Sequence, residues 1–123
     1  MFNLFLVGAG GFLGSISRYA VGGAVHRFLD NPWFPYGTAT VNIVGCFIIG
    51  LLGGLLDSRQ LFSPETRLFL MVGFLGGFTT FSSFGYETIT LARDAQLLSA
   101  FWNVGLQIFL GLSAVWLGLN LSR

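Results

Sequence analysis

The segment from Gly73 to Glu87 contains the residue types best suited to binding an ion. A glycine pair is followed there by four hydroxyl residues within five positions. Glycine and β-branched threonine weaken a helix, and serine and threonine side chains compete for its backbone hydrogen bonds. We therefore expect the helix to break between Gly76 and Thr80, which would free carbonyl oxygens to ligate a cation. The alternative is a kinked but continuous helix whose hydroxyls bond back to the preceding turn.

Two aromatic rings accompany these hydroxyls. Phe81 and Phe84 are three residues apart and so share one helical face, with Ser82 and Ser83 between them. The edge of an aromatic ring is positive and a hydroxyl donates hydrogen bonds, so together they can contact a small anion. In a chain with 14 phenylalanines, the alternative is that the two rings serve packing only.

Amide side chains in two other segments can add hydrogen-bond donors to an anion path. Asn42 has Thr38 one turn upstream, and Asn103 and Gln107 are four residues apart on one helical face. Together with the hydroxyls of the broken segment, including that of Thr80, these side chains predict a narrow path lined by hydrogen-bond donors. The alternative for each amide singly is a hydrogen bond between helices, worth about 0.6 kcal/mol in a membrane.

The ionisable residues favour binding over catalysis. Arg18 lies near the end of the first apolar stretch, where its guanidinium either extends to the membrane interface or places positive charge at the mouth of an anion path. His26 has no nucleophile or carboxylate partner in a catalytic pattern, and Cys46 is the only cysteine. We therefore predict neither enzyme activity nor a cysteine-based metal or redox motif.

The composition places these residues in a membrane. Of the 123 residues, 54% are hydrophobic and 9% are charged, with no lysine, whereas a soluble domain carries about a quarter charged residues. The charged positions separate four apolar stretches, each long enough for a helix across ~30 Å of hydrocarbon, the first of them if it takes in Arg18 near its end. We predict a single-domain, all-α integral membrane protein with four transmembrane helices, the third of them broken. The spans cover about residues 3–25, 36–56, 67–91 and 97–121. A net charge of +1 gives no nucleic-acid surface.

The arginines favour neither orientation in the membrane, because three fall on each side and the positive-inside rule has no bias to act on. Copies inserted both ways can pair as an antiparallel, dual-topology homodimer. The alternative is that other terms fix one orientation. The two sets are Arg59, Arg67 and Arg123 on one side, and Arg18, Arg27 and Arg93 on the other.

Four helices enclose no aqueous lumen, so a solute path would run between subunits or along a narrow groove. Glycines recur in all four spans and permit close backbone approach. We expect most of them to serve packing within one subunit.

Three motifs match a known family pattern: Gly10-Gly11-x-x-Gly14-x-x-x-Arg18-Tyr19, Gly37-Thr38-x-x-x-Asn42 and Gly73-Phe74-x-Gly76-Gly77-x-Thr79-Thr80-Phe81-Ser82-Ser83-Phe84. Through them the sequence resembles the Fluc/CrcB family of fluoride channels along essentially its whole length. The resemblance implies an antiparallel, dual-topology homodimer in the bacterial inner membrane, with two pores that passively export fluoride. It also implies a central structural sodium ion.

The resemblance further implies roles for individual residues. Phe81 and Phe84 resemble the family's aromatic box, whose ring edges meet fluoride, and Asn42 resembles its pore amide. Ser83 takes a hydroxyl position that is often threonine in the family, so it keeps the donor and loses a methyl group.

Three further assignments follow from the same resemblance. The backbone carbonyls of Gly76 and Thr79 are similar to the family's sodium ligands, and Arg18 to its vestibule arginine. The polar track of the last helix varies in residue type, and it is assigned here to Asn103 and Gln107.

Two other functions fit four small helices. A dual-topology multidrug antiporter needs a carboxylate in the membrane to couple protons to its substrate, and the first span contains no Asp or Glu. In a membrane subunit without transport activity, the glycines and polar residues would be assembly contacts only.

Overall fold

The computed structural model describes residues 1–30, 33–59 and 62–123. All regular secondary structure within these ranges is helical, which confirms the predicted all-α class. Four helical segments are long and apolar enough to cross a membrane, and the third of them is made of two helices, α3 and α4. The helices are α1 (Phe2–Leu29), α2 (Tyr36–Arg59), α3 (residues 64–78), α4 (Phe81–Arg93) and α5 (Leu97–Ser122).

The first helix extends past its predicted span, to Leu29 instead of residue 25, and ends at Asp30 in a left-handed conformation (φ 48°). Its 28 residues correspond to a length of about 42 Å. Since this exceeds the ~30 Å of a hydrocarbon core, the last turn, with His26 and Arg27, can stand at the membrane surface.

The third span breaks where the sequence predicts. Thr79 (φ −93°, ψ 159°) and Thr80 (φ −152°, ψ 112°) are extended between α3 and α4. The Thr80 hydroxyl caps α4 by accepting a hydrogen bond from the Ser83 N–H at 3.2 Å. Of the hydroxyls expected to bond back to the preceding turn in a continuous helix, that of Thr79 does so, since it donates to the Leu75 carbonyl at 3.0 Å. Both threonines are therefore extended at the break, within the predicted range from Gly76 to Thr80.

Two π-helical segments, which the sequence analysis did not predict, interrupt the α-helical repeat of α3 and α5. Leu68–Leu75 forms the middle of α3, and Leu106–Leu110 lies in the middle of α5. A π-turn inserts an extra residue into the helical repeat and shifts the faces on either side of it. Gln107 lies within the second of these turns, so its direction depends on that shift.

Glycines set the distance between the helices. A Cβ atom at Gly14 would overlap the Phe74 carbonyl of α3, and one at Gly77 would lie 2.6 Å from the Gly11 carbonyl of α1. In α5, a Cβ atom at Gly118 would lie 2.7 Å from the backbone nitrogen of Leu51 in α2. These glycines serve packing within one subunit. Others, by contrast, have no atom within 4 Å of an added Cβ: Gly8, Gly76, Gly85 and Gly105.

Replacement of Gly14 by alanine tests this packing. Because the added methyl group meets backbone and not a flexible side chain, we expect Gly14→Ala to lower the free energy of unfolding by about 1–3 kcal/mol. Thermal unfolding of the purified protein in detergent measures the change. Gly8→Ala is the matched control, since the same helix gains a methyl group in open space. Equal stability of the two variants would contradict the close approach of α1 and α3.

Candidate functional site

A groove of about 380 Å³ lies beside the break and brings together residues from α2, α3, α4 and α5. We call it the break groove. Its lining includes seven of the residues that the sequence analysis assigns to ion binding: Asn42, Gly76, Thr79, Thr80, Phe81, Phe84 and Gln107.

A second groove, of about 500 Å³, lies between α1 and α2. Thr80 also lines this groove, so the break separates the two. We call the second one the arginine groove, and its polar lining consists of Ser15, Arg18, Tyr19, His26, Arg27, Thr38 and Thr80.

Asn42 holds the broken backbone in place. Its Oδ1 accepts a hydrogen bond from the Thr80 N–H at 2.8 Å, and its Nδ2 donates to the Thr80 carbonyl at 3.1 Å. In a continuous helix the Thr80 N–H would donate to the Gly76 carbonyl. One side-chain amide on α2 therefore replaces the helical acceptor of the Thr80 N–H and also binds the Thr80 carbonyl.

From Asn42, a chain of side-chain hydrogen bonds runs toward α5 and back to α4. Asn42 Nδ2 donates to Gln107 Oε1 at 2.7 Å, and Gln107 Nε2 donates to Asn103 Oδ1 at 2.9 Å. Asn103 Nδ2 then donates to the Thr88 hydroxyl at 2.8 Å, which donates to the Phe84 carbonyl at 2.7 Å. Because the Thr80 peptide fixes which end of Asn42 donates, the direction of every later bond follows from it.

This chain decides which donors remain available in the break groove. Both Nδ2 hydrogens of Asn42 already bind protein acceptors, Thr80 and Gln107. The second Nε2 hydrogen of Gln107 has no acceptor among the described residues. Asn103 is fully buried, with 0% of its surface exposed, and lies behind the groove. Gln107 is thus the amide in this lining with an N–H to offer a ligand.

The two phenylalanines of α4 form a pair at the edge of the break groove. Their ring centroids are 5.5 Å apart and the ring planes are tilted by 51°. Phe84 is half-buried, whereas 82% of the surface of Phe81 is exposed. The Phe81 ring therefore stands out from a single copy of the chain.

Two other predicted donors, Ser83 and Thr38, do not line the break groove. The Ser83 hydroxyl accepts a hydrogen bond from the Thr80 hydroxyl at 3.1 Å. Its own hydrogen has no acceptor among the described residues. Thr38 faces the arginine groove, where its hydroxyl donates to Glu87 Oε2 at 3.1 Å. Glu87 Oε1 is buried and has no hydrogen-bond partner within the described ranges.

Arg18, which lines the arginine groove, forms a hydrogen bond to the backbone next to the break. Its Nε donates to the Gly77 carbonyl at 2.9 Å, which is one of the acceptors that α3 leaves unpaired at its C-terminal end. The guanidinium thus compensates the end of α3 and presents its remaining N–H groups near the arginine groove.

Gly76 and Thr79, the predicted sodium ligands, both line the break groove. The Gly76 carbonyl loses its helical donor, because the Thr80 N–H binds Asn42 instead. No cluster of three or more His, Cys, Asp or Glu residues occurs in the part of the chain that the structure describes. The oxygen ligands available to a cation here are backbone carbonyls and the neutral side chains of the lining.

Sequence reasoning missed three partners of these residues: Thr88 beside Asn103, Glu87 beside Thr38, and the Gly77 carbonyl beside Arg18. Thr88 lies four residues after Phe84 on α4, and helical spacing places it on the same face. The other two pairs join distant segments and carry no local signal.

Comparison with known proteins identifies close relatives. The family described as "CrcB-like protein, Camphor Resistance (CrcB)" matches residues 5–119. A protein of Flavobacterium psychrophilum named "Fluoride-specific ion channel FluC" is 41% identical over 123 residues, which cover 100% of this chain and 98% of the relative. The protein of the same name from Methylobacillus flagellatus is 42% identical over 123 residues, or 100% and 96% of the two chains. That of Chlorobium luteolum is 54% identical over 95 residues, or 77% and 72%.

Replacement of Asn42 by aspartate tests the anchoring of the break. Aspartate keeps an acceptor for the Thr80 N–H but turns a second acceptor toward the Thr80 carbonyl and Gln107 Oε1. We expect a loss of about 1–3 kcal/mol in the free energy of unfolding for each unpaired group, measured by thermal unfolding in detergent. Asn120→Asp is the control, because the Nδ2 of this exposed residue binds only the Trp116 carbonyl of its own helix. The same loss in both variants would show that Asn42 does not anchor the break.

Proposed function

Because the chain belongs to the CrcB-like family, we propose that it is a fluoride-selective ion channel through which fluoride leaves the cytoplasm passively. The relatives are named as ion channels, so the chain belongs to a family of membrane transporters and is not an enzyme. Its four helical segments make it a multi-pass membrane protein. We place it in the bacterial inner membrane, where export lowers the cytoplasmic concentration of fluoride.

The observation that carries this proposal is the break groove beside an interrupted membrane helix. Irregular backbone at membrane depth persists only where protein surrounds it or where it lines a polar cavity. Here the rings of Phe81 and Phe84 on α4 and the Gln107 amide on α5 line one groove, and the second N–H of Gln107 has no acceptor among the described residues. They bring positive ring edges and a free donor to the same space. Fluoride is small and strongly hydrated, so a narrow, donor-lined path can replace its water, whereas larger halides fit poorly.

The amide of Asn42 supports fluoride transport in a different way from the one its spacing suggests. Its Nδ2 hydrogens bind Thr80 and Gln107, so it orients the groove and directs the chain that leaves the Gln107 N–H free. A fluoride ion that reaches Asn42 itself would have to displace Gln107 Oε1. In this proposal Asn42 is primarily a positioning residue, and Gln107 is the amide that contacts the ion.

We further propose that the functional unit is an antiparallel homodimer with two pores. In one copy, 82% of the Phe81 surface is exposed, and an added Cβ at Gly76, Gly85 or Gly105 would meet nothing within 4 Å. A second copy lying against this face would cover the ring and close the groove. The equal division of the arginines supports opposite insertion of the two copies.

We also propose that carbonyl oxygens at the break hold a structural sodium ion. Backbone carbonyls of unwound membrane helices are hard oxygen ligands, which suit Na⁺. The carbonyls of Gly76 and Thr79 would hold it, and the Gly76 carbonyl lacks its helical partner. Two carbonyls do not surround a cation, so the second copy would supply the others. The bound ion would supply positive charge that joins the two interrupted helices.

The two alternative functions have less support. α1 contains no Asp or Glu, so it lacks the carboxylate that a proton-coupled multidrug antiporter needs in its first span. In a subunit without transport activity, we would expect the donors of the break groove to be paired within the protein, whereas one N–H of Gln107 in this groove has no acceptor among the described residues.

Fluoride efflux from liposomes tests the proposed function. Vesicles loaded with potassium fluoride receive the purified protein and a potassium ionophore, and an electrode records the fluoride released. We expect release well above that of protein-free vesicles, and almost none from vesicles loaded with chloride. Fluoride release no faster than in protein-free vesicles, or chloride release at the same rate, would refute the channel function.

The same assay tests the ring edges. We expect Phe81→Ile and Phe84→Ile each to lower the rate of fluoride efflux at least about tenfold, because isoleucine has no positive ring edge to replace fluoride's lost hydration. Phe2→Ile is the matched control at the exposed start of α1. Size-exclusion chromatography verifies that each variant keeps the oligomeric state of the wild type. Wild-type rates of fluoride efflux in both α4 variants would show that the two rings do not contact fluoride.

A further inference from the structure

The arginine groove concentrates positive charge without any carboxylate in its lining. Arg18 and Arg27 both line it, together with His26 and the hydroxyl residues Ser15 and Thr38. No described Asp or Glu lines it, and the nearest carboxylate, that of Glu87, lies behind the lining and accepts a hydrogen bond from the Thr38 hydroxyl. A cleft lined by one sign of charge concentrates the opposite ions within it. The groove leads to Thr80, whose other side faces the break groove.

The two arginines stand at different depths of this groove. They are nine residues apart on α1, which corresponds to about 13 Å along the helix axis. Arg18 lies beside the break, where its Nε binds the Gly77 carbonyl. Arg27 lies in the last turn of α1, in the part that extends beyond the predicted span.

Arg27, unlike Arg18, is not engaged in the fold. It is exposed, and it makes no hydrogen bond or ion pair with any described residue. Asp30, the nearest carboxylate in sequence, ends α1 in a left-handed conformation and forms no ion pair with it. The Arg27 guanidinium is therefore unpaired among the described residues, in the part of the groove lined by the last turn of α1.

We infer that Arg27 is the outer capture residue for small anions, and that Arg18 receives them deeper in the same groove. This inference rests on the proposed fluoride channel and adds a residue that neither the sequence motifs nor the break groove contains. Arg27 raises the local concentration of fluoride at the entrance without holding the ion, since it has no rigid partner to fix its guanidinium.

Coulomb's law gives the size of the expected effect. In water, a unit charge about 5–10 Å from the path changes the local concentration of a monovalent anion about two- to fourfold. At about 10 mM ionic strength the Debye length is ~30 Å, so the charge acts at this distance, whereas at about 1 M it is ~3 Å and the charge is screened. A capture residue thus differs from a structural one in its dependence on salt.

Initial rates of fluoride efflux from liposomes measure this dependence for Arg27→Gln and Arg27→Lys. Fluoride is kept dilute, and an impermeant organic sulfonate salt sets the ionic strength. We expect Arg27→Gln to be about two- to fourfold slower than the wild type at about 10 mM and equal to it at about 1 M. We expect Arg27→Lys to match the wild type under both conditions, because it keeps the charge.

Arg93→Gln is the matched control. Arg93 is exposed at the end of α4, on the same side of the membrane as Arg27, and lines neither groove. Its rate should equal that of the wild type throughout. Three results would overturn the inference: a wild-type rate for Arg27→Gln at low salt, a deficit that persists at high salt, or an equal deficit for Arg93→Gln. If the wild type releases no fluoride at all, the channel function fails and not the role of Arg27 alone.

Discussion

The structure depends on one constraint, which is that a peptide group in hydrocarbon must find a hydrogen-bond partner. The break after Thr79 takes the Thr80 N–H out of the helical ladder, and hydrocarbon offers no water to replace the lost bond. Asn42 on the neighbouring helix accepts this N–H at 2.8 Å and also donates to the Thr80 carbonyl at 3.1 Å. Arg18 does the same for the Gly77 carbonyl at the end of α3. The interruption is thus stable because two distant side chains compensate it.

The hydrogen bonds of Asn42 to Thr80 also decide which side-chain atoms along the candidate path donate and which accept. Thr80 determines which atoms of Asn42 accept and donate, and this order passes through Gln107 to Asn103 and the Thr88 hydroxyl. At the end of this sequence, the described part of the chain leaves one N–H of Gln107 free in the break groove. The same hydrogen bonds therefore support the fold and the site. A change in Asn42 alters both the stability of the break and the hydrogen-bond donors that a ligand meets.

The glycines of the chain fall into two groups, one at close contacts between helices and one that faces open space. Gly14 and Gly77 let α1 approach α3 closely, and Gly118 does the same between α5 and α2. Gly76 and Gly85 instead face open space near the exposed ring of Phe81. A single copy therefore packs tightly around α1 and α2 and leaves the face with the break uncovered, which is the physical basis for proposing a second copy there.

The sequence alone determined the features that depend on short-range chemistry. Apolar stretches separated by charges predict four spans, the glycine and threonine content predicts the break between Gly76 and Thr80, and the spacing of Phe81 and Phe84 places them on one face. Only the tertiary structure decided which partners these residues have. It buries Asn103 completely, occupies both hydrogens of Asn42, and places Gln107 in a π-helical segment. The two bonds of Asn42 join residues 38 and 65 positions apart, and no local propensity encodes such contacts, because they arise only when the helices pack.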